Sequence, residues 1–152
     1  MDTARHLALA VAIACAAGCG ASRAGWGKGA WRGLHESGEL QVRRALVRLD
    51  PATNELVLPW VGARVPVGIE GEILACELVI YRDADGDRAL DDGEALTSRA
   101  SPQPGVKVLF QALRLPAPTD GVELVGRLLV VTRTESRIEQ FLFRDESGDG
   151  RR

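Results

Sequence analysis

Hydrophobic and polar positions along this chain alternate in short runs. In "GVKVLFQALRL", Val106, Val108, Phe110 and Ala112 fall on one face. In "VELVGRLLVVTRT", Val122, Leu124, Leu128 and Val130 do the same. Side chains two apart share one face of a strand, so both runs predict half-buried strands. "GEILACELVIYRD" is a longer β-rich run, "RIEQFLFRD" closes the chain, and "ARVPVG" is a short segment whose Pro66 suits a sheet edge. The turn signals "SPQPG", "PAPTDG" and "RTES" separate these runs. Many short strands between such turns predict an all-β fold, an antiparallel β-sandwich or barrel, with the strand order left open.

The stretch "ELQVRRALVRLDPATNELVLPW" admits two readings. Val42, Ala45, Leu46 and Leu49 stand at helical spacing. Against this, Leu40 and Val42 alternate with Gln41 and Arg43, and Ala45, Val47 and Leu49 alternate with Leu46 and Arg48. A switch of parity near Arg44 would then be a β-bulge. With "DPATN" as a turn and "ELVLPWV" as a partner strand, the segment is read as a hairpin, in keeping with the strands downstream.

Composition adds a size and a core type. The chain has 152 residues, 45% of them hydrophobic but only 5% aromatic, which suits one domain with an aliphatic core. Its formal charge of -2 supplies neither a basic footprint for nucleic acid nor a polybasic membrane patch.

The N-terminal "MDTARHLALAVAIACAAGCGAS" carries Arg5 and His6 before an apolar run from Leu7 to Ala17. That run is too short to cross a bilayer, which needs about 20 apolar residues. It has the length of a signal-peptide core. The following "AAGC", Ala16 to Cys19, resembles the lipobox of bacterial lipoproteins, with Ala16 in the place usually held by Leu. The resemblance implies cleavage before Cys19, lipidation of Cys19 and residence in the bacterial cell envelope, anchored on the extracytoplasmic side. An ordinary cleavable signal, with secretion, is the other reading, and Cys15 is a second candidate for the modified residue. On the lipobox reading, residues 1–18 are the signal peptide, 19–38 a lipid-anchored flexible tether rich in Gly, and 39–152 the β-domain. Trp26 and Trp31, within the tether, would pack on the domain or sit at the lipid interface. Of three cysteines, Cys76 then remains alone, so no intramolecular disulfide is expected. Its alternation with Leu74, Leu78 and Ile80 predicts a buried apolar side chain.

The candidate chemistry lies in "YRDADGDRALDDGEAL", Tyr81 to Leu96. Calcium takes six to eight oxygen ligands, and acids at alternate positions can converge on one ion. Counting from Asp83, positions 1, 3, 5, 9 and 12 are Asp83, Asp85, Asp87, Asp91 and Glu94. Position 7, which gives a backbone carbonyl, is Ala89, and position 8 is the apolar Leu90. This resembles the EF-hand calcium loop, which implies calcium as the cofactor and these six residues as its ligands. Position 6, usually Gly, is Arg88; a positive φ there costs on the order of 1 kcal/mol, which leaves room for a different bend. The flanks are strand-like, so the stretch looks more like the "DxDGDxxxDxGE" loops between strands of bacterial surface β-domains than like a helix–loop–helix. A solvated acidic turn is the bland alternative. The tail "DESGDGRR" echoes it with Asp145, Ser147, Asp149 and Gly150, but it offers half a loop and reads as a frayed polar end unless other residues complete a site.

Catalytic patterns are missing from the sequence. His35 is the one histidine after the signal, and no Ser-His-Asp set, zinc spacing, GxSxG or nucleotide-binding Gly pattern occurs. The chain is therefore expected not to be an enzyme. Two functions remain: an anchored structural or interaction module with a calcium-stabilised loop, or a domain that binds a small ligand or carbohydrate beside a metal-free acidic turn. The first allows for a protein or carbohydrate partner, and neither involves nucleic acid.

Overall fold

A computed structural model describes residues 30–148. The expected signal peptide, Cys15, Cys19 and Trp26 lie outside the described residues. Nine strands follow in order: β1 (Trp31–Glu36), β2 (Gln41–Ala45), β3 (Arg48–Asp50), β4 (Glu55–Arg64), β5 (Ile73–Asp83), β6 (Ala95–Ala100), β7 (Lys107–Pro116), β8 (Glu123–Thr132) and β9 (Ser136–Leu142). The fold is all-β, and every strand pair is antiparallel. In the first sheet, β2 and β3 lie one after the other along one side of β4, β1 flanks β2, and β7 takes the other side of β4. The second sheet runs β6-β5-β8-β9.

Apolar side chains of both sheets enclose one core. Leu58, Val61, Phe110 and Leu113 come from the first sheet, and Leu78, Ile80, Leu128 and Val130 from the second. Burial of each such side chain contributes about 1.5–3 kcal/mol. Leu124, Leu128 and Val130 keep the face that their spacing predicts. Cys76 is buried among them, and burial pushes its thiol up to about 12, which leaves it unreactive at neutral pH.

The hairpin reading of residues 40–61 holds: β3 and β4 are joined by a turn in which Asn54 N–H donates to Asp50 O at 2.8 Å, with Asn54 at φ 56°. Several other expectations change. Residues 31–36, assigned to the tether, form β1, where Trp31 lies under the Arg43 guanidinium at 4.2 Å and His35 approaches Glu139 of β9. "ARVPVG" is no separate strand, because Ala63 and Arg64 continue β4 and Pro66 begins a turn. The stretch after Glu94 contributes an edge strand, β6, that no apolar alternation announces.

Ala112 does not share the buried face of Val108 and Phe110; it is exposed at φ 54°, and Leu113 takes the core position instead. The reason lies across the ladder. Trp60 pairs with Gln111 and Leu58 with Leu113, which sets Ala112 opposite Pro59. Proline has no N–H to offer a partner strand, and the register runs on across this row without an extra residue on either strand. Both strands change buried parity at this row: Leu58 gives way to Val61 on β4, and Phe110 to Leu113 on β7. The neighbouring strand changes too, from Val42 and Arg44 to Ala45 and Val47. Three strands of the first sheet thus change their buried face along one line.

That interruption between β2 and β3 leaves Val47 without ladder partners from a strand. The C-terminal segment supplies them. Glu146 N–H donates to Val47 O at 2.9 Å, and Val47 N–H donates to Glu146 Oε2 at 2.8 Å. The same carboxylate accepts two bonds from Arg44, Nη1 at 2.6 Å and Nη2 at 2.8 Å, and lies 3.1 Å from Arg32 Nε. Arg44 and Glu146 are 4% and 6% exposed, so the expected frayed tail is, through Gly148, an ordered latch. Arg44 also stacks over the Phe141 ring at 4.8 Å, and that ring covers Gly126 on the paired strand.

Candidate metal centre

β5 has two apolar faces. Leu78 and Ile80 enter the main core, whereas Val79 and Tyr81 point to the outer side of the second sheet, where they pack with Val125 in a smaller cluster. Leu90, from the acidic loop, and Leu142 cover this cluster. The apolar residue at position 8 therefore ties the loop to the sheet by burying its side chain. The loop closes as a hairpin: Arg82 N–H donates to Glu94 O at 3.0 Å, and Tyr81 pairs with Ala95 of β6.

Within the loop the carboxylates organise the backbone. Asp83, 4% exposed, accepts from Gly86 N–H at 3.0 Å and Arg88 N–H at 3.2 Å. Asp85 accepts from Asp87 N–H at 3.2 Å, and Asp87 from Ala89 N–H at 2.6 Å. Glu94 bridges the mouth, its Oε1 accepting from Ala84 N–H at 3.2 Å and its Oε2 from Asp91 N–H at 3.1 Å.

Arg88, at position 6, adopts φ 60°. The loop thus makes the left-handed turn there without glycine. Two side chains hold this residue in place: Tyr81 Oη–H donates to Arg88 O at 2.6 Å, and Gln140 Nε2 donates to the same oxygen at 2.8 Å. Burial, with the nearby Asp83 charge, pushes the Tyr81 hydroxyl above its ordinary value, so it stays protonated and able to donate. Neither Tyr81 nor Gln140 belongs to the acid pattern. Gln140 sits on β9, and its part in the loop follows only from the pairing of β8 with β9.

The acids converge. Ligand oxygens of Asp83, Asp85 and Asp87 lie within 4.8 Å of one another, and so do those of Asp85, Asp91 and Glu94. All the expected side-chain ligands are therefore gathered into two groups that share Asp85, and the cluster could hold a metal ion. Ala89 sits beside them in the loop, with its N–H engaged by Asp87. The electrostatics register the crowding: partial withdrawal from water pushes the Asp91 carboxyl above the usual range, and the charges of Asp87, Glu94, Asp85 and Asp92 push it the same way. A cation among these oxygens would reverse that repulsion.

The C-terminal echo builds nothing comparable among the described residues. Asp145 accepts from the Ser147 hydroxyl at 2.6 Å and from Leu49 N–H at 3.2 Å, and Glu146 is taken up by Arg44. The Ser147 hydroxyl, acting against partial burial and helped by backbone N–H groups, holds the Asp145 carboxyl below its ordinary value. Asp149 and Gly150 lie outside the described residues. Trp60 and Tyr81 are both buried, in the main core and beneath the loop respectively. Comparison with known protein families, curated proteins and solved structures finds no match.

Proposed function

We propose that this protein is a lipid-anchored β-domain of the bacterial envelope, a structural or interaction module whose 83–94 loop binds calcium for stability. The observation that carries the calcium reading is the gathering of five loop carboxylates into two groups of three that share Asp85, on a scaffold fixed by Leu90, Tyr81 and Gln140. An all-oxygen, carboxylate-rich donor set suits a hard cation such as calcium, not zinc or copper. Asp83, Asp85, Asp87, Asp91 and Glu94 would hold the ion, with Ala89 O as the backbone ligand. Anchoring rests on the AAGC sequence and Cys19. A non-catalytic role is supported by Asp91, the loop acid pushed upward, being open to solvent and not set in an apolar site.

The test is a calorimetric calcium titration of the chain from residue 19, with Cys19→Ser, accompanied by thermal melts. With a Kd of about 0.1 mM, in the range of extracellular modules, about 1 mM calcium would stabilise the fold by roughly 1.4 kcal/mol. Saturable heat and a raised Tm are expected, both lost in Asp85→Ala and Glu94→Ala. No heat and no shift at millimolar calcium would make the loop a solvated turn. In the full-length chain, incorporation of a labelled fatty acid, abolished by Cys19→Ser, tests the anchor.

A further inference from the structure

β5 leaves the acidic loop at one end of the molecule, and its start, Ile73, lies at the other end, beside Gly105 and Thr132. An open groove of about 600 Å³ lies at this second end, lined by Val65, Glu70–Glu72, Gly105, Val106, Thr132–Thr134 and Glu39. We propose that this groove docks an extended basic segment of a protein partner, one that carries aliphatic residues between its cations.

The volume falls within the range of ligand-binding clefts, about 300–1,000 Å³. Along its rim, Val106 is 63% exposed, and the turn between the lining residues Val65 and Glu70 carries Val67, 99% exposed, and Ile69, 45% exposed. These side chains are held out by a fixed backbone. Ile69 N–H donates to Pro66 O at 3.2 Å, and Val65 N–H to Val106 O at 2.8 Å, which binds the two loops together. Exposed branched aliphatic side chains on two loops that are tied together beside a groove offer apolar surface to a partner.

The charges decide which partner. Three carboxylates line the groove, from Glu39, Glu70 and Glu72, against one guanidinium, Arg133. Arg133 meets Glu72 at 3.5 Å with both side chains in solvent, a contact easily exchanged for another. Glu39 accepts from the Thr134 hydroxyl at 3.5 Å, and Glu70 forms no ion pair among the described residues. An anionic lipid surface or a nucleic acid would be repelled. A segment of alternating Lys and aliphatic residues in extended conformation presents its cations on one face and its apolar side chains on the other, and so matches both the carboxylates and the rim.

The test uses the chain from residue 19 with Cys19→Ser and a fluorescein-labelled octapeptide alternating lysine and valine, followed by anisotropy in calcium-free buffer. Saturable binding is expected, weakened about tenfold by the double variant Glu70→Gln, Glu72→Gln. Val106→Ser should weaken it several-fold, and Asp85→Ala should leave it unchanged. Unchanged melting temperatures of the exposed-loop variants exclude unfolding as the cause. Absence of binding would overturn the proposal. So would equal binding of the peptide with glutamate in place of lysine, indifference to the double variant, loss in Asp85→Ala, or equally tight binding of spermine, which lacks the aliphatic side chains.

Discussion

Replacing Glu146 by alanine removes the carboxylate that Arg44 grips through bonds of 2.6 and 2.8 Å, and with it the acceptor of Val47 N–H. Arg44, 4% exposed, would keep its charge with no carboxylate beside it. Breaking a buried pair from one side costs about 3–5 kcal/mol. The orphaned Val47 N–H accounts for about 1–3 kcal/mol of that. A domain of this size has a total stability of about 5–15 kcal/mol, and each kcal/mol moves Tm by about 4 °C, so a fall of about 12–20 °C is expected. Thermal melts by circular dichroism, backed by urea titration, measure it. The double variant Arg44→Met, Glu146→Leu should recover much of the loss, because the stranded charge is gone while Val47 N–H stays unsatisfied. Acid adds an independent check. Burial pushes the Glu146 carboxyl up, but the Arg44 and Val47 hydrogen bonds and the charges of Arg44 and Arg32 outweigh it and hold the group below its ordinary 4.5. A depressed carboxylate stabilises the fold fully above the unfolded value, and that contribution is lost as pH falls through the folded one. Wild type and Glu146→Gln should therefore differ near neutrality and converge in acid below about pH 4.5. A loss under about 1 kcal/mol for Glu146→Ala, or a gap that persists in acid, would refute the latch.

Two further substitutions examine local geometry. A Cβ at Gly126 would lie 2.3 Å from Phe141 Cζ, and Arg44 stacks on that ring, so Gly126→Ala should destabilise by about 1–3 kcal/mol in urea titration and be rescued by Phe141→Leu. Arg88→Gly relieves a left-handed residue at φ 60°, with strain of about 1–2 kcal/mol partly offset by about 0.5–1 kcal/mol of glycine chain entropy; Tm should rise slightly, whereas Arg88→Val should lower it, and the reverse order would show that the left-handed turn is not imposed.

The parts of this protein that could be read ahead of its structure are those whose cause is local. Leu124, Leu128 and Val130 declare their face by spacing alone, and the acids at 83, 85 and 87 converge because alternate residues of one short loop can reach a common point. The parts that could not be read depend on distant partners. β1 is Gly-bearing and largely exposed, and its order comes from pairing with β2 and from Arg43 on Trp31. β6 is an edge strand with five of its six residues exposed, so it has no buried stripe to betray it. Ala112 leaves its expected face because Pro59, on another strand, lies opposite. Glu146 looked like tail because its partner Arg44 stands 102 residues earlier.

The line across the first sheet where the buried face changes limits how the chain can change length. Pro59 with Trp60, Gln111 with Ala112, and the step from Arg44 to Ala45 each add their turn of parity at the same row. Deleting one residue from any of these strands would send everything beyond it to the wrong side, while the strands beside it still turned. Only matched deletions on neighbouring strands would keep the inner faces aligned. Turns such as residues 117–122 can absorb insertions, but these three short segments can lengthen or shorten only together.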